Sequence, residues 1–211
     1  DVCSSDLTVY GASLVSDRFG TPASAFYFDG DDYIEAHDPV NMDFKTFTIA
    51  AWVELDSDDG FQHILVHAEE TGTDHGHFSM KYNPGKTYPT YAFSTSFENT
   101  SDRNYSVVSS AKTGMDWYFV AARRDSGGNL DIFVDGLLEG SAPGTPTPAL
   151  IDQSLFVGVS MDGVTQSLNG FFTGTIDDVS IYSRALTETE IGQLYRYNPI
   201  PEPTSVILLG V

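Results

Sequence analysis

The segment Gly174-Thr175-Ile176-Asp177-Asp178-Val179-Ser180-Ile181-Tyr182-Ser183-Arg184-Ala185-Leu186 carries the strongest fold signal in the chain. Residues 170–182 read as one long β-strand, because β-branched and aromatic residues dominate the run. Two adjacent aspartates, Asp177 and Asp178, sit inside it. A carboxylate on the buried side of a strand is costly unless it is paired or bound to a cation, so this pair demands a partner. The strand is followed by one short helix. Thr187 is a good N-cap, Glu190 completes a capping box, and Leu186 and Ile191 occupy the positions of a hydrophobic staple. Ile191, Leu194 and Tyr195 line one helical face, and the helix is expected to end near Tyr197, before Pro199.

On the N-terminal side, from Phe26 onward, short β-rich runs alternate with Gly, Asp, Asn and Pro clusters. Phe47–Leu55 alternates clearly, with Phe47, Ile49, Ala51, Val53 and Leu55 on one face and Thr48, Ala50, Trp52 and Glu54 on the other. Further strands are predicted at Phe26–Phe28, Tyr33–Ala36, Gln62–Ala68, Phe78–Tyr82, Tyr91–Phe97, Tyr105–Ser109, Trp117–Arg123, Leu130–Val134 and Leu155–Val159. Asp29-Gly30 and Asp135-Gly136 read as hairpin turns between their flanking runs. About a dozen strands without βαβ alternation predict an all-β, two-sheet antiparallel sandwich.

Composition narrows the function. With 41% hydrophobic and 13% aromatic residues, the 211-residue chain is neither disordered nor a coiled coil. Ten basic residues against thirty acidic ones give a formal charge of −20. Phosphate neutralisation, and hence nucleic-acid binding, is excluded as a mode of action, and an anionic membrane surface is disfavoured. Neutral ligands and divalent cations suit such a surface. Cys3 is the single cysteine, so no disulfide forms within the chain.

Both ends stand apart from residues 8–197, which are read as one domain. Residues 1–7, Asp1 to Leu7, resemble the in-frame translation of a sequencing-adapter oligonucleotide and are set aside as an artefact. At the other end, prolines at 199, 201 and 203 make an extended linker, and an apolar run begins at Val206 and continues to Val211. Pro201-Glu202-Pro203 against that run resembles the PEP-CTERM sorting signal, with residues 198–211 as the linker and the truncated start of its membrane segment. The resemblance implies export in a Gram-negative bacterium, processing by an exosortase, and a place at the cell surface or in the extracellular matrix. Membrane contact is expected only through that segment.

Five ordered motifs carry a second resemblance. Phe28-Asp29-Gly30-Asp31-Asp32-Tyr33-Ile34, Phe47 to Val53, Trp117 to Ala121, Leu130 to Gly136 and the opening stretch Gly174 to Leu186 resemble laminin-G-like, concanavalin-A-like jelly rolls. The implied fold is a two-sheet antiparallel jelly-roll sandwich with one short C-terminal helix. The resemblance also implies a structural Ca²⁺ between the first strand pair and the last strand. Its ligands here would be Asp29, Asp32, Asp177 and Asp178, with Asp31 a weaker one; the alternative is solvated turn and edge carboxylates.

Other sites are less specific. Glu54-Leu55-Asp56-Ser57-Asp58 resembles the carboxylate cluster of retaining glucanases on this scaffold, but its last glutamate is missing and the stretch leads into a turn. His37, His63, His67, His75 and His77 are scattered, and only Asp74-His75-Gly76-His77 pairs two imidazoles. Trp52, Tyr82, Tyr88 and Tyr91 either form a sugar-stacking platform or pack beneath loops. The expected function is a non-catalytic, exported binding or adhesion module for glycan or extracellular polysaccharide. A glycoside hydrolase or polysaccharide lyase, or a purely structural matrix protein, are the alternatives.

Overall fold

The computed structural model describes residues 7–36, 45–57, 60–67, 78–82, 92–98, 104–112, 114–143, 154–161, 165 and 167–197. In chain order the strands begin with β1 (Leu7–Tyr10), β2 (Ser13–Val15), β3 (Ala25–Asp29), β4 (Tyr33–Ala36) and β5 (Phe47–Leu55). They continue with β6 (Gln62–His67), β7 (Phe78–Tyr82), β8 (Ala92–Glu98), β9 (Asn104–Ala111) and β10 (Trp117–Arg124). Next come β11 (Leu130–Val134), β12 (Leu137–Ala142), β13 (Leu155–Val157), β14 (Ser160–Met161), β15 (Leu168–Asn169) and β16 (Thr173–Tyr182). The helix α1 (Glu188–Tyr197) follows.

Two antiparallel sheets of seven strands form the sandwich, ordered β1-β4-β13-β6-β7-β8-β9 and β12-β11-β10-β5-β16-β3-β2. The alternation in β5 does what its pattern predicts. Phe47, Ile49, Ala51, Val53 and Leu55 enter the core between the sheets with Phe28, Ile34, Leu65, Met80 and Ile181. Ala50 and Trp52 instead face outward, into a second cluster built from Phe119, Phe133, Leu186, Ile191 and Leu194. The helix therefore packs on the outer face of the second sheet. A small hairpin, β14 and β15, contributes Met161 and Leu168 to a third cluster around Val66, Phe156 and Val159.

Local chemistry fixes the start of α1. The Thr187 N–H donates to Glu190 Oε2 at 2.8 Å, and the Glu190 N–H returns a bond to Thr187 Oγ1 at 3.2 Å, closing the capping box. Arg184 clamps the same carboxylate through both terminal nitrogens, at 3.1 and 2.7 Å, and with the Thr187 bonds holds the Glu190 pKa down to about 2. The segment before the helix is tied to β5, where the buried Thr48 hydroxyl accepts from the Leu186 N–H at 2.9 Å.

One of the two predicted hairpins forms. Asp135 and Gly136, with φ of 51° and 76°, make the two-residue turn between β11 and β12. Asp29-Gly30 does not join a hairpin. β3 pairs with β2 and β16, whereas β4 pairs with β1 and β13 in the other sheet, so Asp29 to Asp32 is a crossing between layers. Leu7, grouped with the set-aside segment in the sequence reading, is the first residue of β1. It pairs with Ala36 and packs on the core.

Gly174 is the tightest point of the second sheet. Its φ is 142°, and a Cβ there would lie 2.0 Å from the Glu54 carbonyl oxygen. Gly174→Ala is therefore expected to lower unfolding free energy by about 3 kcal/mol or more, combining backbone strain with a main-chain clash. Urea denaturation measures it; a loss under about 1 kcal/mol would contradict this packing.

Candidate functional site

The paired aspartates find their cation in Arg18. Its Nη1 donates to Asp177 Oδ2 at 2.7 Å and to Asp178 Oδ2 at 2.5 Å. Adjacent residues of a regular strand point to opposite faces, so one guanidinium cannot ordinarily collect both. The break comes from a bulge. Asp177 stands opposite Trp52 and Ser180 opposite Ala50, which leaves one extra residue on β16, and Asp178 takes a φ of 49°. The guanidinium is nearly buried, with 7% of the Arg18 side chain and 3% of that of Asp177 exposed. Burial first, and then the charge of Asp178, push the Asp177 carboxyl up to about 6 against the pull of Arg18.

Aromatic rings surround this triad. The Arg18 guanidinium carbon lies 4.4 Å from the Trp52 ring centroid and 4.3 Å from that of Phe19. Tyr195 of α1 stacks on Trp52 with centroids 5.6 Å apart and planes 22° from parallel, and Phe119 leans against the indole at 5.5 Å. Trp52 thus packs beneath the 16–24 loop and the helix, and its ring is taken up by protein contacts. Its Nε1 and the Arg18 Nε are buried without an acceptor among the described residues. A bound water is the expected partner for such groups. Phe19, by contrast, is 77% exposed.

The four expected metal ligands do not assemble into one group. β16 runs antiparallel to β3 with Thr173 opposite Asp29 and Ile176 opposite Phe26, which puts Asp177 toward the far end of β3 from Asp29. Arg18 already supplies positive charge to the Asp177–Asp178 half. The other half gathers at the layer crossing, where Asp29, Asp31 and Asp32 place carboxylate oxygens within 4.8 Å of one another. Hydrogen bonding to Asp29, and then its charge, hold Asp31 above the usual carboxylate range. Asp32 Oδ2 also accepts the Asp29 N–H at 3.0 Å. Three clustered carboxylate oxygens are donor chemistry that fits Ca²⁺.

Tyr82, predicted as a platform residue, faces inward. It is 1% exposed, lies against Phe93 and reaches the Lys112 carbonyl at 3.3 Å, because its neighbours in the register place it on the core side of β7. Tyr88, Tyr91, His37, His75, His77, Asp58 and the Pro201-Glu202-Pro203 motif lie outside the described residues. His63 and His67 are buried strand residues of β6. The outer face of the first sheet carries a hydroxyl row that the sequence reading did not single out. Ser79 and Ser96 share a bond of 2.8 Å, and Lys81 Nζ donates to Ser96 Oγ at 2.8 Å. Of the glucanase-like residues, Glu54 is half-buried, with its pKa raised by burial and by the charges of Asp56 and Asp116. Asp56 accepts a hydrogen bond from the Tyr27 hydroxyl, which raises the pKa of that phenol.

Residues 28–192 match the laminin-G-type family described as the concanavalin A-like lectin/glucanases superfamily. The chain belongs to this superfamily. The structure of domain 4 of AbnA, a GH43 extracellular arabinanase from Geobacillus stearothermophilus, in complex with arabinotriose is similar over 90% of this chain and 88% of that one, with TM-score 0.67 and 16% identity. The binding domain of botulinum neurotoxin DC in complex with SialylT matches 90% of this chain and 45% of that one, with TM-score 0.66 and 15% identity. The botulinum serotype C1 binding domain behaves alike, with 46% of its chain covered, TM-score 0.66 and 15% identity. The concanavalin A-like chain thus spans less than half of these toxin domains, and at such identities the likeness is one of fold. No curated protein sequence matches it.

Two buried groups of this concanavalin A-like domain give opposite pH dependences. Burial, and then Lys81, push His63 down from 6.5 to about 3, so its stabilisation is complete above about pH 6.5 and is lost as pH falls toward 3. Asp177 is raised from 3.8 to about 6, so its contribution is complete below 3.8 and is lost as pH rises through 6. Between about pH 7 and pH 5 the histidine removes about 2 kcal/mol and Asp177 returns about 1 kcal/mol. Wild-type stability is expected to fall over that interval, and to fall about 1 kcal/mol further in Asp177→Asn. Chemical denaturation at both pH values reads this; parallel losses in the two proteins would refute the Asp177 assignment.

Proposed function

We propose that this chain is a non-catalytic carbohydrate-binding domain, carried to the cell surface or extracellular matrix of a Gram-negative bacterium. The observation that supports it most is the near full-length likeness to an isolated domain bound to arabinotriose, joined to the state of the local carboxylates. A retaining glycosidase needs two carboxyls about 5 to 5.5 Å apart on a rigid strand. Here Asp56 lies just beyond the end of β5 and is engaged by Tyr27, while Asp177 and Asp178 are held by Arg18. Export rests on the sequence alone, on Pro201-Glu202-Pro203 followed by the apolar Val206 to Val211, the pattern an exosortase would process. Ca²⁺, held by Asp29, Asp31 and Asp32, would steady the crossing between the two sheets and take no part in chemistry.

Two measurements test this. Isothermal titration with arabinotriose and with a panel of neutral oligosaccharides is expected to give saturable binding, with no release of reducing ends. Release that disappears in Glu54→Gln would instead favour the hydrolase, and the lack of any saturable ligand would favour a structural matrix protein. Thermal unfolding in EDTA and then in Ca²⁺ is expected to shift upward with the ion, as for any ligand bound only by the folded state, and to lose that shift in Asp31→Ala. An unchanged midpoint would remove the ion from the account.

A further inference from the structure

We propose that Phe19 is the ligand-stacking residue of this domain, and that its site takes the apolar ring face of a neutral sugar and rejects acidic sugars. The inference rests on the carbohydrate-binding reading and assigns the residue and the ligand class. Phe19 is the most exposed large hydrophobic side chain among the described residues, at 77%. A single exposed apolar residue on a loose loop would need no explanation. This one is rigidly presented. Asp17 Oδ1 accepts from the Phe19 N–H at 2.9 Å and from the Thr21 N–H at 2.7 Å, and the Asp17 N–H closes the loop onto the Thr21 carbonyl at 3.0 Å. The ring itself rests against the Arg18 guanidinium, which Asp177, Asp178 and Trp52 hold in turn. A ring fixed before binding loses little entropy when a ligand arrives, which is where preorganised sites gain affinity.

The ligand class follows from what the ring and its neighbours offer. Phenylalanine has no hydrogen-bonding group, so its exposed surface suits the C–H face of a sugar ring. The charges nearby are one guanidinium and three carboxylates, Asp17, Asp177 and Asp178. Burial would raise Asp17, but the Thr21 and Phe19 amides and Arg18 outweigh it and keep this carboxyl below its usual range. Arg18 is shared between the other two and is nearly buried, so it is not presented to a ligand. The remaining local charge is negative, on a chain of −20, and a uronate or sialate carboxylate would be repelled. Neutral sugars meet no such repulsion.

Affinity electrophoresis of the whole chain tests this, in gels containing linear arabinan, a neutral β-glucan, or polygalacturonate. Wild type, Phe19→Ala, Phe19→Trp and Leu137→Ala are compared, the last removing another exposed apolar side chain far along the sequence. The expected result is retardation of wild type by at least one neutral polysaccharide and by none of the polygalacturonate. Phe19→Ala is expected to weaken that binding about tenfold or more, while Phe19→Trp and Leu137→Ala retain it. Because Phe19 is exposed, the alanine variant is expected to fold, and its melting temperature checks this. Unchanged affinity in Phe19→Ala would overturn the proposal and leave the carbohydrate-binding reading standing. Equal retardation by polygalacturonate would overturn the neutral-sugar assignment. A wild type retarded by no gel would overturn both.

Discussion

Two carboxylates in adjacent positions of a strand share a single cation only where the strand breaks its own alternation. The extra residue between Asp177 and Ser180 supplies that break, and much of the outer face of the second sheet depends on it. Arg18 comes from a loop 159 residues earlier in the chain and bonds the bulge. A buried carboxylate beside a half-buried one is costly without a positive partner, and one guanidinium nitrogen bonds both while its carbon lies 4.4 Å from the Trp52 ring centroid. The result is an ordered stack in which Arg18 touches both Phe19 and Trp52, and Tyr195 brings α1 onto the same indole. In a chain with no disulfide this triad joins an early loop to the last strand.

The parts of the fold legible in the sequence are those governed by neighbours along the chain. The period-two pattern of Phe47 to Leu55 separates core from outer face because each residue's side is set by the pleat. The capping box of Thr187 and Glu190, and the turn at Asp135-Gly136, are equally local and form as their chemistry dictates. What the sequence hides is long-range. Nothing near Asp177 announces that its cation is Arg18 rather than Ca²⁺, since the expectation of a charge partner is satisfied by either. Asp29-Gly30 has the composition of a hairpin turn, but which sheet each flanking strand joins is decided by β2, β16, β1 and β13. Trp52 and Tyr82 both lie in strand-like runs, and the register turns one toward the helix and the other into the core.

The candidate binding surface was the least legible feature. Phe19 lies outside every predicted strand and motif, and only the structure reveals that its ring is exposed and rests against the Arg18 guanidinium. The signal available in advance was the triplet Asp17-Arg18-Phe19, a capping carboxylate, a cation and an aromatic in one turn. Such a loop illustrates how a shared sandwich carries different specificities. In the proposed reading the sandwich supplies the scaffold and a loop that it holds still carries recognition.

Arg18, Asp177 and Asp178 act as one clamp between the first loop and the last strand. A double-mutant cycle on unfolding free energy with Arg18→Gln and Asp177→Asn tests it most directly, at neutral pH where Asp177 is ionised. A coupling energy of about 2 kcal/mol or more is expected, because removing Arg18 leaves Asp177 and Asp178 without their cation. Additive losses, with a coupling below about 0.5 kcal/mol, would mean that loop and strand are held by packing alone and would contradict it.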